Sequence, residues 1–172
     1  MTNISRILHH DDDVCTAIWR DVFVIIWRRN TTIEGVKACD RTLTEARPDL
    51  PKGCGALTIV EPGAPMPSAE AREALSLFLR EAGDVIQLSA VVYEGAGFRA
   101  AAVRSVVTGI SLVAKQPFPH KVFATVAAAS SWMAPSLPVG PAASRDVIQA
   151  VADLREDLAR LTSDAAASAT TP

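Results

Sequence analysis

The chain holds only three cysteines, Cys15, Cys39 and Cys54, and neither a CxxC pair nor any other ligand-like spacing connects them. An odd, unpatterned set excludes a disulfide framework and a cysteine zinc site, so the three read as reduced, small apolar core residues rather than reactive thiols. An excess of one charge is also missing. With 17 basic and 19 acidic residues the formal net charge is −2, which gives no global basic field to grip nucleic acid or an anionic membrane. The roughly 20 consecutive apolar residues that a membrane span requires are absent too. The most apolar stretch, residues 100–114, is shorter and carries Arg104 in its middle, so it reads as a core helix. Residues 1–13 lack a basic segment followed by a long apolar one, so no export signal is legible and the cytoplasm is the expected location.

What is present suits one folded domain, since 172 residues with 49% apolar content can bury a core without metals or crosslinks. Val14–Trp19 and Val22–Trp27 are two β-rich runs separated only by Arg20-Asp21, the spacing of a hairpin, although Arg-Asp is poor turn chemistry. Thr31-Thr32-Ile33-Glu34 then places a Thr at an N-cap and a Glu three later, opening a helix that runs to about Arg47, where Pro48 and Pro51 stop it. Residues 53–60 form a short apolar run of strand length.

The loop Glu61-Pro62-Gly63-Ala64-Pro65-Met66-Pro67 cannot be helical, and Ser68 ends it as an N-cap. Behind it Ala71, Leu75, Phe78, Leu79 and Ala82 make one stripe of an amphipathic helix, with Gly83 as the expected C-cap. Residues 85–93 are nearly continuously apolar, as in a central strand covered on both faces. Glu94-Gly95-Ala96-Gly97 turns into a helix over residues 98–115, apolar nearly all round and so expected to pack against more than one neighbour. Residues 120–124 are the last strand, Thr125 an N-cap, and residues 126–134 a short helix.

Strands alternating with helices at this spacing predict an α/β fold: a four- to five-stranded, mostly parallel open sheet with an N-terminal antiparallel hairpin and flanking helices over residues 1–134. Residues 135–143 read as a linker. Ser144 is expected to cap a C-terminal amphipathic helix over residues 144–161, and residues 162–172 to be a disordered tail. In that helix Val147, Val151, Leu154, Leu158 and Leu161 are spaced 4, 3, 4, 3, a seam that either folds back on its own domain or docks on a second copy or a partner helix.

The run His120-Lys121-Val122-Phe123-Ala124-Thr125-Val126-Ala127-Ala128-Ala129-Ser130-Ser131-Trp132-Met133 resembles the closing strand and helix of STAS-like proteins, more narrowly the bacterial STAS/Sec14-type domains related to anti-sigma-factor antagonists. The resemblance covers roughly residues 14–133. It implies a small α/β module that regulates by binding a partner protein, and in some relatives by accepting phosphate on a serine at the start of the second main helix. Ser68 occupies that turn, but the chain reads Pro67-Ser68-Ala69-Glu70-Ala71 where the family has Asp-Ser followed by Gly-Leu. Glu70 and Glu73 would repel a phosphate there. The Sec14-type side of the resemblance implies, as an alternative, binding of a lipid or other apolar small molecule.

In an open α/β sheet, ligands gather at the carboxyl ends of the strands. Three segments are expected on that edge: residues 28–32, 61–68 and 94–99, bringing Glu61, Glu94, Arg29 and Arg99 as charged groups. Glu61, Ser68, Glu94, Gly95, Gly97 and Arg99 are therefore the candidate ligand- or partner-binding residues. Gly95 and Gly97 resemble part of a phosphate loop, yet a third spaced Gly and a Walker Lys are missing, and a tight turn accounts for both. Two carboxylates could share acid and base duties if Glu61, Glu94 and Arg99 converge in one cleft. No Ser-His-Asp set, HExxH or nucleophile elbow is present, so the chain reads as no enzyme and as needing no cofactor. His9-His10-Asp11-Asp12-Asp13 reads as a solvated turn and not a metal site. Trp19 and Trp27 read as core or sheet-face packing.

Overall fold

The computed structural model describes residues 5–50, 53–137 and 143–169. Every residue of Val14–Trp19 (β2) and Val22–Trp27 (β3) is buried, and the two strands pair antiparallel from Val14↔Trp27 to Trp19↔Val22. Their loop is Arg20-Asp21 alone, and Arg20 takes φ 52°, the left-handed conformation that a two-residue hairpin demands even of a residue with a Cβ. Ahead of them Arg6–His10 (β1) pairs antiparallel with β2, with a register shift between Ile7 and His9.

After β3 the chain alternates Ile33–Ala46 (α1), Cys54–Val60 (β4), Ala69–Glu81 (α2), Ile86–Tyr93 (β5), Gly97–Ala114 (α3), His120–Phe123 (β6), Val126–Met133 (α4) and Ala143–Ala169 (α5). The sheet order is β1-β2-β3-β4-β5-β6, with β3 to β6 parallel. The sheet therefore has six strands, not four or five. The strand missed was β1: its sequence Arg6-Ile7-Leu8-His9-His10 has little apolar periodicity, and it is a half-covered edge. His9 and His10 lie in that strand, and only Asp11 to Asp13 form the turn. There the Asp11 carboxylate accepts from the N–H groups of Asp13 and Val14, both at 2.8 Å, a turn-closing contact typical of Asp.

Because each parallel crossover places its helix on the same side, α1, α2 and α3 all cover one face. That face carries Phe23, Ile25, Trp27, Cys54, Ala56 and Ile86 against Val36, Cys39, Leu43 and Phe78 of the helices. The other face, with Ala17, Trp19, Val24, Ile26, Leu57, Ile59, Ala90 and Val92, is equally apolar and has no crossover helix of its own. It is covered by Val126, Ala129 and Met133 of α4 and by Val147, Val151, Leu154 and Leu158 of α5. The C-terminal helix is thus the second wall of this domain's core.

Local capping follows the sequence in most places. Thr32 accepts from the Gly35 N–H (3.0 Å), Ser68 from Ala71 (3.2 Å) and Thr125 from Ala128 (3.1 Å). With Thr32 as the cap, Glu34 falls one position early for a reciprocal box and instead meets Lys37 at 2.8 Å. Gly83 is not a left-handed C-cap: α2 ends at Glu81 in a 3-10 turn over Ala82–Asp84. A Cβ on Gly83 would lie 2.4 Å from the Pro117 ring, so the glycine permits close packing there. Ser144 lies within the first turn of α5, its Oγ 3.3 Å from Ser131 Oγ. α5 also continues to Ala169, through residues expected to be disordered. Alanine has the best helix propensity, and the Thr162 and Ser163 hydroxyls donate back to the carbonyls of Leu158 and Ala159 at 2.8 and 3.0 Å. The expected linker is partly ordered: the 3-10 turn Ala134–Ser136 runs into its start, Leu137 is buried and Ala143 already belongs to α5, while residues 138–142, and 170–172 of the tail, lie outside the described residues. Among the described residues no helix is long and apolar enough to cross a membrane.

Candidate functional site

At the carboxyl edge of the sheet, Glu61 follows β4 and Glu94 follows β5, and since those strands pair from Cys54↔Ile86 to Val60↔Tyr93 the two carboxylates emerge side by side. A residue that the edge argument missed joins them. Arg155, one helical turn from the buried seam of α5, donates from Nε to Glu61 Oε1 (2.9 Å) and from Nη2 to Glu94 Oε2 (3.0 Å), and all three side chains are about one third exposed. Partial burial works against the Arg155 charge, but Glu61 and Glu94 outweigh it and hold its pKa above the ordinary guanidinium value. Both carboxylates accept from one cation, an arrangement that ties α5 to the edge.

The glycines of the next loop have steric reasons. A Cβ on Gly95 would lie 2.3 Å from the buried Tyr93 ring, and Gly97 opens α3 at φ +71°, where side chains are strained. Tyr93 itself donates to the Pro62 carbonyl at 3.4 Å, tying the loops after β4 and β5 together. Arg99 lies in the first turn of α3, and its side chain is outside what is described. Ser68 is exposed and sits away from Glu61 and Glu94, facing an open hollow shared with Thr32, Pro65 and Met66. Its own backbone N–H and the Ser68 hydroxyl hold the adjacent Glu70 below the usual carboxylate range, which keeps a negative charge beside that serine.

The seam residues Val147, Val151, Leu154 and Leu158 are buried on the sheet of their own chain, whereas Leu161 is 39% exposed. The cysteines are buried thiols. Burial pushes Cys15 up to about 12 and Cys54 up to about 11, and raises Cys39 as well.

α3 is packed on one side and open on the other. Its inner side, with Val103, Val107 and Ile110, roofs an apolar cavity of about 80 Å³ above Trp27, Val60 and Val91. Its outer side carries large apolar side chains in solvent. Phe98 is 92% exposed, Leu112 73% and Val113 71%. At about 100° per residue these three fall on one side together with Ala102, Ser105 and Gly109, a stripe of about 20 Å. Residues 95–145 contain no Asp or Glu, while Arg99, Arg104, Lys115 and Lys121 all lie in that segment. As its apolar composition suggests, the helix packs against more than one neighbour, α2, β5 and β6, but one face of it stays open to solvent.

A second pairing invisible in sequence lies beneath α3. Ser89 Oγ, at the cavity wall, is 3.2 Å from His120 Nδ1, while His120 Nε2 is buried and makes no hydrogen bond. Burial lowers the His120 pKa, favouring the neutral ring over the charged one. Among the described residues no three His, Cys, Asp or Glu side chains gather as metal ligands. No family model, curated protein or solved structure matches this chain.

Proposed function

We propose that the protein is a non-enzymatic interaction module of STAS-like type whose recognition element is the outer face of α3. The observation that carries this reading is Phe98, Leu112 and Val113, three large apolar side chains left open to solvent along one helix face. Isolated apolar residues need no explanation, but a stripe of them on one helix is characteristic of a docking surface. The fitting partner is a protein surface that is apolar at its centre. The cytoplasm remains the expected setting. The test is isolation of the tagged full-length protein from its native cells beside the Phe98→Ser, Leu112→Ser, Val113→Ser triple variant. A stoichiometric partner present with the first and lost from the folded variant supports the reading. The same partner on both, or saturable binding to anionic vesicles without any protein partner, overturns it.

A second reading, uptake of an apolar small molecule, is favoured by the cavity beneath the same helix. Its present volume is well below the roughly 300 Å³ of ordinary ligand pockets, so a ligand would have to lift α3. Native mass spectrometry after gentle purification decides this: a mass heavier than the chain by a constant increment supports it, and a clean chain mass removes it. Phosphate acceptance by Ser68 is the least supported element, because its hydroxyl caps α2 and Glu70 stands next to it.

A further inference from the structure

On the sheet face opposite α3, where the carboxyl ends of β3 and β4 meet α5, three guanidinium groups line one hollow of about 270 Å³: Arg28, Arg29 and Arg155. Arg28 donates from Nη1 to the Asp11 carbonyl (2.7 Å) and from Nη2 to the Thr162 hydroxyl (2.9 Å), both neutral oxygens, so it is half-buried without a carboxylate partner among the described residues. Arg155 uses Nε and Nη2 on Glu61 and Glu94, and its Nη1 makes no hydrogen bond to the described residues. Arg29 meets Asp12 at 3.7 Å with both side chains mostly in solvent, a pairing that contributes little and opens easily.

Arg155 is met by Glu61 in the wall and by Glu94 beside it, and Arg29 by Asp12, so three guanidinium groups face three carboxylates and Arg28 is left without a carboxylate of its own among the described residues. Ile26 and Leu158 supply an apolar floor beside them. We propose that this hollow binds a small organic monocarboxylate. Its carboxylate is forked by Arg28 and reached by the open nitrogen of Arg155, and its short apolar body lies on Ile26 and Leu158. Guanidinium groups suit this task because their planar donor forks match a carboxylate edge. One negative charge matches the single guanidinium without a carboxylate, Arg28; a second would meet only cations that are already paired, and a neutral amide would leave Arg28 unmatched. The site lies on the other face of the sheet from α3 and stands independently of the reading proposed for that helix.

The test is a titration of the isotope-labelled full-length protein, following amide resonances. The probes are sodium benzoate, sodium butyrate, benzamide, inorganic phosphate and sodium chloride at matched ionic strength. Saturable shifts with benzoate or butyrate at Arg29, Leu158 and Thr162, and none with benzamide or chloride, are expected. Arg28→Ala should weaken binding at least tenfold. Arg29→Ala, which removes only a solvent-exposed side chain, should weaken it about threefold without altering the rest of the spectrum. No saturable shift with either carboxylate, equal response to benzamide, tighter binding of phosphate, or wild-type affinity in both variants overturns the proposal.

Discussion

Arg155 on the C-terminal helix donates simultaneously to Glu61, at the end of β4, and to Glu94, at the end of β5. Two strand ends and the helix that covers them are held by one cation, and the pairing is partly shielded from solvent. Arg155→Met is expected to lower stability by about 1–2 kcal/mol, more than an exposed pair would and less than a fully buried one. Chemical denaturation checks it. In a double-mutant cycle with Glu61→Gln, the two substitutions should be less than additive.

The seam of α5 completes the second sheet face, so its residues should behave as core. Leu154→Ala is expected to cost about 2–4 kcal/mol, as large-to-small changes in well-packed sites do, while Leu161→Ala, at a 39% exposed position, should cost under about 0.5 kcal/mol. Urea unfolding midpoints of the two variants measure the difference. Equal, small effects would mean that the helix leaves the sheet in solution.

Gly95 and Lys115 make opposite backbone predictions. Gly95→Ala drives a Cβ toward the buried Tyr93 ring and is expected to destabilise by about 1–3 kcal/mol. Lys115 ends α3 at φ 49°, the position where helices prefer glycine, and Lys115→Gly is expected to stabilise by about 0.5–1 kcal/mol. Thermal unfolding of both variants reads the two signs.

His120 gives the stability a pH dependence of known direction. Burial depresses its folded-state pKa below the ordinary value of 6.5, so between the folded and unfolded values the unfolded chain binds the extra proton. Its contribution is complete above about pH 6.5 and is lost as pH falls through the folded pKa. Denaturation midpoints measured from pH 7 to pH 5 should fall, and His120→Asn should flatten that part of the curve.

Much of the architecture is legible in the residues because it is locally encoded. The β2–β3 register follows from two apolar runs with a two-residue gap, and the caps Ser68 and Thr125 from their position before amphipathic stretches. β1 escaped because two histidines break its pattern, and the end of α5 because an Ala/Ser/Thr composition suits both a tail and a helix resting on a folded domain. The site was half legible. Strand topology places Glu61 and Glu94 on one edge, but Arg155 lies 94 and 61 residues away in the chain, and no local pattern points to it. Composition likewise reports that α3 is apolar on all sides without reporting which side lacks a neighbour.

The central claim is that the outer face of α3 is the contact surface, and photo-crosslinking from within the native cell tests it most directly. A photoreactive residue at Leu112 should yield one defined protein adduct, and the same residue at exposed Arg41 on α1 should yield none. Adducts that are absent at Leu112, or identical from both positions, would contradict the account.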